Sequence, residues 1–455
     1  MYNKWIFSAA ILCCFGLLTG CSFAVPPVDL LRAPSVTADL QEMRLAVLEQ
    51  LPAGAKLTLP AHFPKGTAAI SEVDLDGDGL NEAIAFYKKE MNQFELGAVI
   101  LSKKSGTWEK IAEIQELGSA VHYLDFQDVT GNGVQDMLVG WSGGEEVKKE
   151  LTVYSFPDGK IREIGRNSYS ELVVGDLNND QVSEVVLIQL DRNESIAKAE
   201  LYHYLEGKLR PADRIALDGT INGYTQILLG NATESRKGVF IDAGVGAHSS
   251  TTTLLVMEEG RLRDVFGGAK AKDGGGIYNP YTVMSEDINQ DGIIEIDLMR
   301  QPPGTEELPM VAVPWIHSWH QWDGLDGLKR VHDNFYDFSA GFRFDFPDGW
   351  HDRITITKEE DASSGSFLFE YVGEDRKYKQ ELLTLAYFPR DDKQEKERDR
   401  KDKQSEIVPL GERNEKTFIA LLPTEHPKLP EQAAKEYEKL RIDPQQIRDL
   451  FHFVH

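Results

Sequence analysis

One pattern, written four times, constrains this chain more than any other feature. Its clearest copy runs Val73-Asp-Leu-Asp-Gly-Asp-Gly-Leu-Asn-Glu-Ala-Ile-Ala-Phe-Tyr87. The first half alternates oxygen-bearing side chains, and the second half is an apolar, β-prone run. Counted from its first Asp, each copy offers oxygen at positions 1, 3, 5, 7 and 9. The first copy offers Asp74, Asp76, Asp78, the Leu80 carbonyl and Glu82. The second offers Asp128, Thr130, Asn132, the Val134 carbonyl and Asp136. The third offers Asp176, Asn178, Asp180, the Val182 carbonyl and Glu184. The fourth offers Asp287, Asn289, Asp291, the Ile293 carbonyl and Glu295.

Oxygens at alternate positions of a tight loop can wrap one hard cation, and calcium accepts six to eight of them, carbonyls and water included. Magnesium demands a stiffer octahedron and is the weaker candidate. Glycines at position 4 or 6 (Gly77, Gly79, Gly131, Gly133, Gly292) allow the turn without a Cβ clash. An EF-hand is excluded. It needs a Glu at position 12 followed by a helix, and this chain has Ala85, Val139, Leu187 and Leu298 there, inside β-prone runs. Asp, Asn and Gly also favour plain turns, so a metal-free turn is the alternative at each site. The expectation is structural Ca2+ at several loops, because the ligands would be spent on chelation between strands.

The copies begin at residues 74, 128, 176 and 287. They are spaced by roughly 50 residues, with one double gap, the signature of a repeat array. The gap predicts a degenerate copy near 230, where Ile227-Leu-Leu-Gly-Asn-Ala-Thr-Glu-Ser-Arg-Lys-Gly-Val-Phe-Ile241 keeps strand, polar turn and strand without the acids. After each loop comes a strand, a Gly turn and a strand, with the turns at Gly106, Gly159, Gly207 and Gly260 and at Gly324 to Gly327. Each repeat therefore holds about four strands, the size of a propeller blade.

The loops resemble FG-GAP/VCBS-type calcium-binding repeats, known from integrin-like β-propellers and bacterial surface proteins. The Phe-Gly and Gly-Ala-Pro signatures are largely absent. The resemblance implies a mainly β chain with a β-propeller-like array of about five or more four-stranded repeats.

Four segments follow. Residues 1–20 are a targeting segment, with Lys4 basic and Trp5 to Leu18 apolar but short for a membrane span. Leu18-Thr-Gly-Cys21 resembles a bacterial lipobox, which implies lipid on Cys21 and an extracytoplasmic chain anchored to the membrane. Residues 21–54 are a Pro-rich tether and a short helix from Thr37 to Leu51. Residues 55–335 are the repeats. Residues 336–455 form a C-terminal α+β domain, with strands at 342–346, 354–357, 366–371, 382–388 and 417–422, a charged stretch from Arg390 to Lys403, and helices at 430–440 and 444–453. The three cysteines are Cys13, Cys14 and Cys21, so the mature chain is expected to lack disulfides.

At 455 residues and a net charge of −25, nucleic-acid binding is not expected, since it needs basic surface. No triad, P-loop or zinc signature is present. His317 and His320 fall on opposite faces of a strand and are not expected to share a metal. Trp315, Trp319 and Trp322 read as aromatic core rather than a sugar platform, and the Gly- and Ser/Thr-rich stretch from Asp242 to Thr252 as a wide turn. The leading expectation is therefore a lipid-anchored, calcium-binding module that is not an enzyme. It would bind or scaffold a protein or glycan partner at the cell envelope. The alternatives are an envelope enzyme of glycan lyase or hydrolase type on the same scaffold, and a component of a secretion- or sporulation-type assembly.

Overall fold

The computed structural model describes residues 38–63, 69–89, 94–144, 147–267, 276–361, 363–373, 376–392 and 405–454. The targeting segment, the tether, Cys21 and most of the charged stretch lie outside them. Two compact units are formed. One comprises Met1–Leu59, Ala68–Val73 and Leu80–Glu116; the other comprises Pro60–Thr67, Asp74–Gly79 and Leu117–His455. No helix among the described residues is long and apolar enough to cross a membrane.

The first unit holds helix α1 (Ala38–Gln50) and strands β1 (Ala55–Leu57), β2 (Ile70–Val73), β3 (Glu82–Lys89), β4 (Glu95–Lys104) and β5 (Thr107–Leu117). The strands make one antiparallel sheet. From α1, Met43 and Val47 pack on Ala83, Ala85, Tyr87, Val99 and Leu101. These helix positions are four apart and so share a face.

The second unit contains five further antiparallel sheets. Its first is β6 (Ala120–Gln127), β7 (Asp136–Ser142), β8 (Lys149–Ser155) and β9 (Arg162–Tyr169). Next comes β10 (Glu171–Gly175), β11 (Glu184–Asp191), β12 (Ile196–Leu205) and β13 (Lys208–Asp218). Then β14 (Gly223–Asn231), β15 (Lys237–Val245), β16 (Ser249–Glu258) and β17 (Arg261–Asp264) pair in order, with β18 (Ile277–Asn279) on β16. A fourth sheet contains β19 (Ile296–Arg300), β20 (Ile316–Trp322), β21 (Leu328–Asp337) and β22 (Phe342–Asp345). The last contains β23 (Ile354–Glu360), β24 (Gly365–Tyr371), β25 (Gln380–Pro389), β26 (Ser405–Arg413) and β27 (Lys416–Pro423). Helices α2 (Glu431–Leu440) and α3 (Pro444–Leu450) follow, and β28 (Phe451–Phe453) returns to pair with β22.

The chain is thus mainly β, built of six open antiparallel sheets, none closed on itself. Strand alternation explains how one sheet serves two neighbours. On β11, Val185 and Leu187 face the β6–β9 sheet, packing with Tyr123, Leu138 and Leu151. Val186 and Ile188 face the other way, onto Val239, Ile241 and Leu255 of the next sheet. That sheet uses Phe240, Leu254 and Val256 against Ile296 and Trp322. Each fully buried side chain of this kind is worth about 1.5–3 kcal/mol.

The degenerate copy near 230 is β14, a turn and β15. Thr233 Oγ1 accepts the Ser235 and Arg236 amides (3.3 and 3.1 Å) and shapes that turn without acids. Two-residue turns with positive φ at both positions close β4–β5 (Ser105, Gly106), β12–β13 (Glu206, Gly207) and β16–β17 (Glu259, Gly260). This geometry matches the strand twist, which is why glycine recurs there.

Strand β21 runs to Asp337 and pairs with β22, while Phe335, Phe342 and Phe344 join Phe367, Phe369 and Trp350 in one aromatic core. One element departs from expectation. The last helix ends at Leu450 rather than Phe453, because Phe451 and Phe453 alternate as a strand. An Asp443 capping box, with its carboxylate accepting the Gln445 and Gln446 amides, starts that helix. Strand β26 is unmarked in the sequence reading. It is an edge strand with a bulge at Pro409–Gly411, where proline is tolerated.

Candidate active-site cleft and acidic loops

Strand order places two kinds of site at opposite ends of the sheets. In an up-and-down sheet, the link between strands one and two and the hairpin between strands three and four share one end. The link between strands two and three, and the link to the next sheet, share the other. The acidic loops occupy the first end.

In each loop the first Asp is held by the loop backbone. Asp74 Oδ1 and Oδ2 accept the Gly77 and Gly79 amides (2.7 and 3.0 Å). Asp128 accepts Gly131 and Gly133 (both 2.7 Å), Asp176 accepts Asp180 and Gln181 (3.1 and 3.0 Å), and Asp287 accepts Asp291 and Gly292 (3.0 and 2.9 Å). Two acidic clusters can bind a metal ion: Asp74, Asp76 and Asp78, and Asp287, Asp291 and Glu295. Within each, one oxygen per residue comes within 4.8 Å of the others. The second and third loops form no such triad among the described residues. Asp136 instead accepts the Val129 and Thr130 amides (both 3.0 Å). Asn178 donates to Asp180 and Glu184 (2.8 and 3.2 Å).

The donor set fits a hard divalent cation. Burial pushes the Glu295 carboxyl up to about 7, against the Ile288 amide and Gln321, which hold it down. Burial does the same to Glu184. A cation at either place would offset that cost by favouring the ionised form.

The loops also lock to one another within the second unit. Val134, at position 7 of one loop, sits over Gly77 at position 4 of the loop before, and Val182 sits over Gly131 in the same way. The Ser183 amide donates to the Asp128 carbonyl (2.7 Å) and the Ile294 amide to the Asn231 carbonyl (2.9 Å), a repeated position-8 to position-1 bond. In the degenerate copy, Lys237 stands at position 7 and donates to the Asp176 carbonyl (2.9 Å).

The opposite end carries a cleft of about 450 Å3. Its walls come from the β15–β16 turn (His248), the segment around Tyr281, the approach to β20 (Val311, Trp315), β20 itself (His317), and Tyr336 with Phe338 at the end of β21. Tyr336 and Phe338 stack at 5.2 Å with planes 5° apart. Tyr281 and Trp315 both donate to the Met310 carbonyl (3.4 and 3.2 Å), which pins two aromatic rings to one short 3-10 turn. Val311 and Phe338 are 84% and 72% exposed and form an open apolar rim.

One titratable pair serves this cleft. His317 is buried and packs edge-on to Tyr336 at 4.8 Å. Its Nδ1 bonds the carboxylate of Asp297, which is fully buried on β19 and also accepts the Ser318 amide (3.1 Å). A carboxylate on Nδ1 fixes the proton there and leaves Nε2 with its lone pair. Among the described residues Nε2 has no hydrogen-bond partner. Among the described residues no Asp or Glu lines this cleft; Lys358 in the lining is tied to Asp337 (3.1 Å) and Glu360 (2.7 Å).

The aromatic residues singled out in the sequence divide here. Trp319 and Trp322 are core, as expected, whereas Trp315 lines the cleft. His317 and His320 do lie apart, with His320 Nδ1 on the Ser318 carbonyl (2.7 Å). The turn after Asp242 is short, and its Ala247 and His248 border the cleft. Sequence reasoning passed over Asp297, yet a signal existed. Position 11 of the repeat is Ile84, Leu138, Val186 and, in the degenerate copy, Ile241; only the last repeat puts a carboxylate there.

No family model matches this chain, and no curated protein matches it. Solved structures do. The rhamnogalacturonan lyase YesW aligns with 12% identity over 70% of this chain and 73% of its own, at a TM-score of 0.29. A Bacillus licheniformis rhamnogalacturonan lyase aligns at 12% identity over 72% and 73%, TM-score 0.30. A protein from Lactobacillus plantarum aligns at 8% identity over 66% and 81%, TM-score 0.28. The expectation of a non-enzymatic chain is corrected at this point. Structures that match it include glycan lyases, and its own cleft holds an Asp-oriented histidine that sequence reasoning left aside.

Proposed function

We propose that this chain is a glycan-processing enzyme of the bacterial cell envelope, working by elimination rather than hydrolysis. The observation that carries this reading is the cleft: an aromatic wall around one Asp-oriented histidine, with no carboxylate among the described residues of the lining. Aromatic faces suit the apolar faces of sugar rings. Hydrolysis by retention or inversion uses a pair of carboxylates across the scissile bond, and the described residues of this lining supply none. A single base with a free nitrogen suits proton abstraction.

In this scheme His317 Nε2 takes the proton from the carbon beside a sugar carboxylate. The electron pair forms a ring double bond as the glycosidic C–O bond breaks, and the leaving oxygen takes a proton from water. Asp297 is the positioning residue that keeps Nδ1 protonated and steadies the imidazolium.

The rest of the chain frames that site. The sheets are read as an FG-GAP/VCBS-like, propeller-type array, supported by the repeated loop, strand and hairpin pattern. Calcium is read as a structural staple, held by Asp74, Asp76 and Asp78 and by Asp287, Asp291 and Glu295, where the donors converge. Lipid on Cys21 and residence outside the cytoplasm are supported by the Leu18-Thr-Gly-Cys21 motif.

The test is a panel of neutral and uronate-bearing polysaccharides incubated with the protein plus calcium. Products are scored separately for new reducing ends and for ultraviolet absorbance of an unsaturated sugar. Both signals together are expected. Reducing ends without unsaturation would sink the elimination scheme, and binding without turnover would sink the enzymatic reading.

A further inference from the structure

Proton abstraction by His317 places a second group of the substrate as well. The carbon that gives its proton to Nε2 is bonded directly to the carboxyl carbon, so the carboxyl group stands beside the imidazole. The surroundings of the imidazole therefore decide in which state that carboxyl is accepted. The segments that wall the cleft, 246–249, 276–285, 299–317 and 335–342, are described throughout.

Rings stand closest to it. His317 is edge-on to Tyr336 at 4.8 Å and to Phe338 at 6.5 Å, with planes 74° and 78° apart. Val311, Val313 and Trp315 continue the wall. A surface of this kind does not solvate a carboxylate, and an ion taken out of water against it costs free energy unless a counter-charge is supplied. The charge bonded to the imidazole has the wrong sign for that purpose: it is the buried carboxylate of Asp297.

Lys358 is the cation among the described lining residues, and two acids already claim it. Its Nζ lies 3.1 Å from Asp337 Oδ2 and 2.7 Å from Glu360 Oε2. Burial would push the Asp337 carboxyl up, but the Ser339 hydrogen bond, the Ala340 amide and the Lys358 charge outweigh that and hold it below its ordinary value. Burial would push Lys358 down, but Glu360 and Asp337 hold it above its ordinary value. The ion pair therefore stays ionised at neutral pH, and with Glu360 the group holds one more negative charge than positive. An ammonium has three hydrogens, so one remains beyond these two bonds. It suits a neutral carbonyl oxygen, whereas an incoming carboxylate would meet the two acids as well. The net charge of −25 opposes a polyanion in the same sense.

We propose that the cleft takes uronates whose carboxyl is a neutral alkyl ester, such as the methyl ester, in preference to free uronates, because Asp337 and Glu360 already claim Lys358. The inference rests on the elimination reading of the same cleft. The chemistry points the same way. Loss of the proton leaves a singly charged enolate from an ester but a doubly charged one from a carboxylate, and a lone imidazole is poorly matched to the second. The electron pair then forms the ring double bond, conjugated with the ester carbonyl, as the glycosidic C–O bond breaks. The ester itself is not consumed.

The test gives the full chain each uronate polysaccharide of the panel in two forms, one methyl-esterified and one saponified, with calcium in both. Initial rates of unsaturated product yield kcat/KM for each form. The esterified form is expected to be used at least about tenfold better, the lower end of what an unpaired charge costs in such a place. Glu360→Gln relieves Lys358 of one acid and should lower the ratio of the two rates about threefold. That ratio is internal to each variant, so a general loss of stability does not move it. The inference is overturned, with the elimination reading left standing, if the saponified form is used as well as the esterified one, or if Glu360→Gln leaves the ratio unmoved. Unsaturated product from neither form would overturn the elimination reading, and this inference with it.

Discussion

Asp297 and Asp345 show how one buried carboxylate can do two different jobs. Asp297 has a single imidazole as its side-chain partner and faces a cleft through it. Asp297→Asn keeps the volume but places an amide where the imidazole proton is anchored, so the wrong tautomer becomes accessible. Turnover should fall by about 10²–10⁴-fold, and the pH–rate profile should shift; binding of substrate should change little. A purely structural role would leave the profile in place. Asp345 instead gathers His332 (3.0 Å), His452 (3.0 Å) and Arg343 (2.9 Å), tying β28 to β21 and β22. Burial pushes its carboxyl up, but the His332 hydrogen bond and the Arg343 charge outweigh that and hold it below the ordinary value of 3.8. A depressed carboxyl contributes stability above its unfolded value and loses it as pH falls through the folded one. Asp345→Asn should cost about 1.5–3 kcal/mol at pH 7, the worth of a hydrogen bond to a charged group. By urea melts, that difference should shrink steadily once pH drops below the ordinary Asp range.

At the level of elements, the loop-to-loop contacts make a prediction that strain alone does not. Gly131 and Gly133 both have positive φ, +72° and +82°. Alanine at either position strains the backbone by about 1–2 kcal/mol. At Gly131 the added Cβ also meets Val182 Cγ2 at 3.1 Å, whereas at Gly133 it meets open space. Gly131→Ala should lower the melting temperature distinctly more than Gly133→Ala, and equal effects would mean that the loops do not lock. These elements were legible in the sequence because their causes are local. Asp, Gly and apolar residues within about ten positions dictate loop, strand and hairpin. Even the metal-free copy at 231–239 was visible as the missing beat of a period. The sheet that β22 joins was not legible, since Phe342 and Phe344 alternate equally well for either neighbouring sheet, and only pairing with β21 decides. The cleft was hidden for a related reason. Its residues are drawn from positions 247 to 358, and no short window contains more than a few of them. Asp297 alone left a trace, as a charge where other repeats carry an apolar residue.

For the whole molecule, the proposed calcium staples and the proposed chemistry lie at opposite ends of the sheets and should separate experimentally. Removing divalent cations with EGTA should lower the melting temperature, because a ligand bound to the folded state stabilises it by RT ln(1 + [L]/Kd), about 2.7 kcal/mol at a hundredfold excess over Kd. Asp76→Asn and Asp291→Asn should each reproduce part of that loss and blunt the response to calcium. An unchanged melting curve would remove the structural role assigned to the metal. The central claim concerns the other end. Its most direct test is His317→Ala on the polysaccharide that the wild type degrades, with circular dichroism and the melting temperature confirming an intact fold. The account predicts that unsaturated product falls by at least about 100-fold, the ordinary worth of a general base. A folded His317→Ala variant that still releases product at the wild-type rate would contradict it.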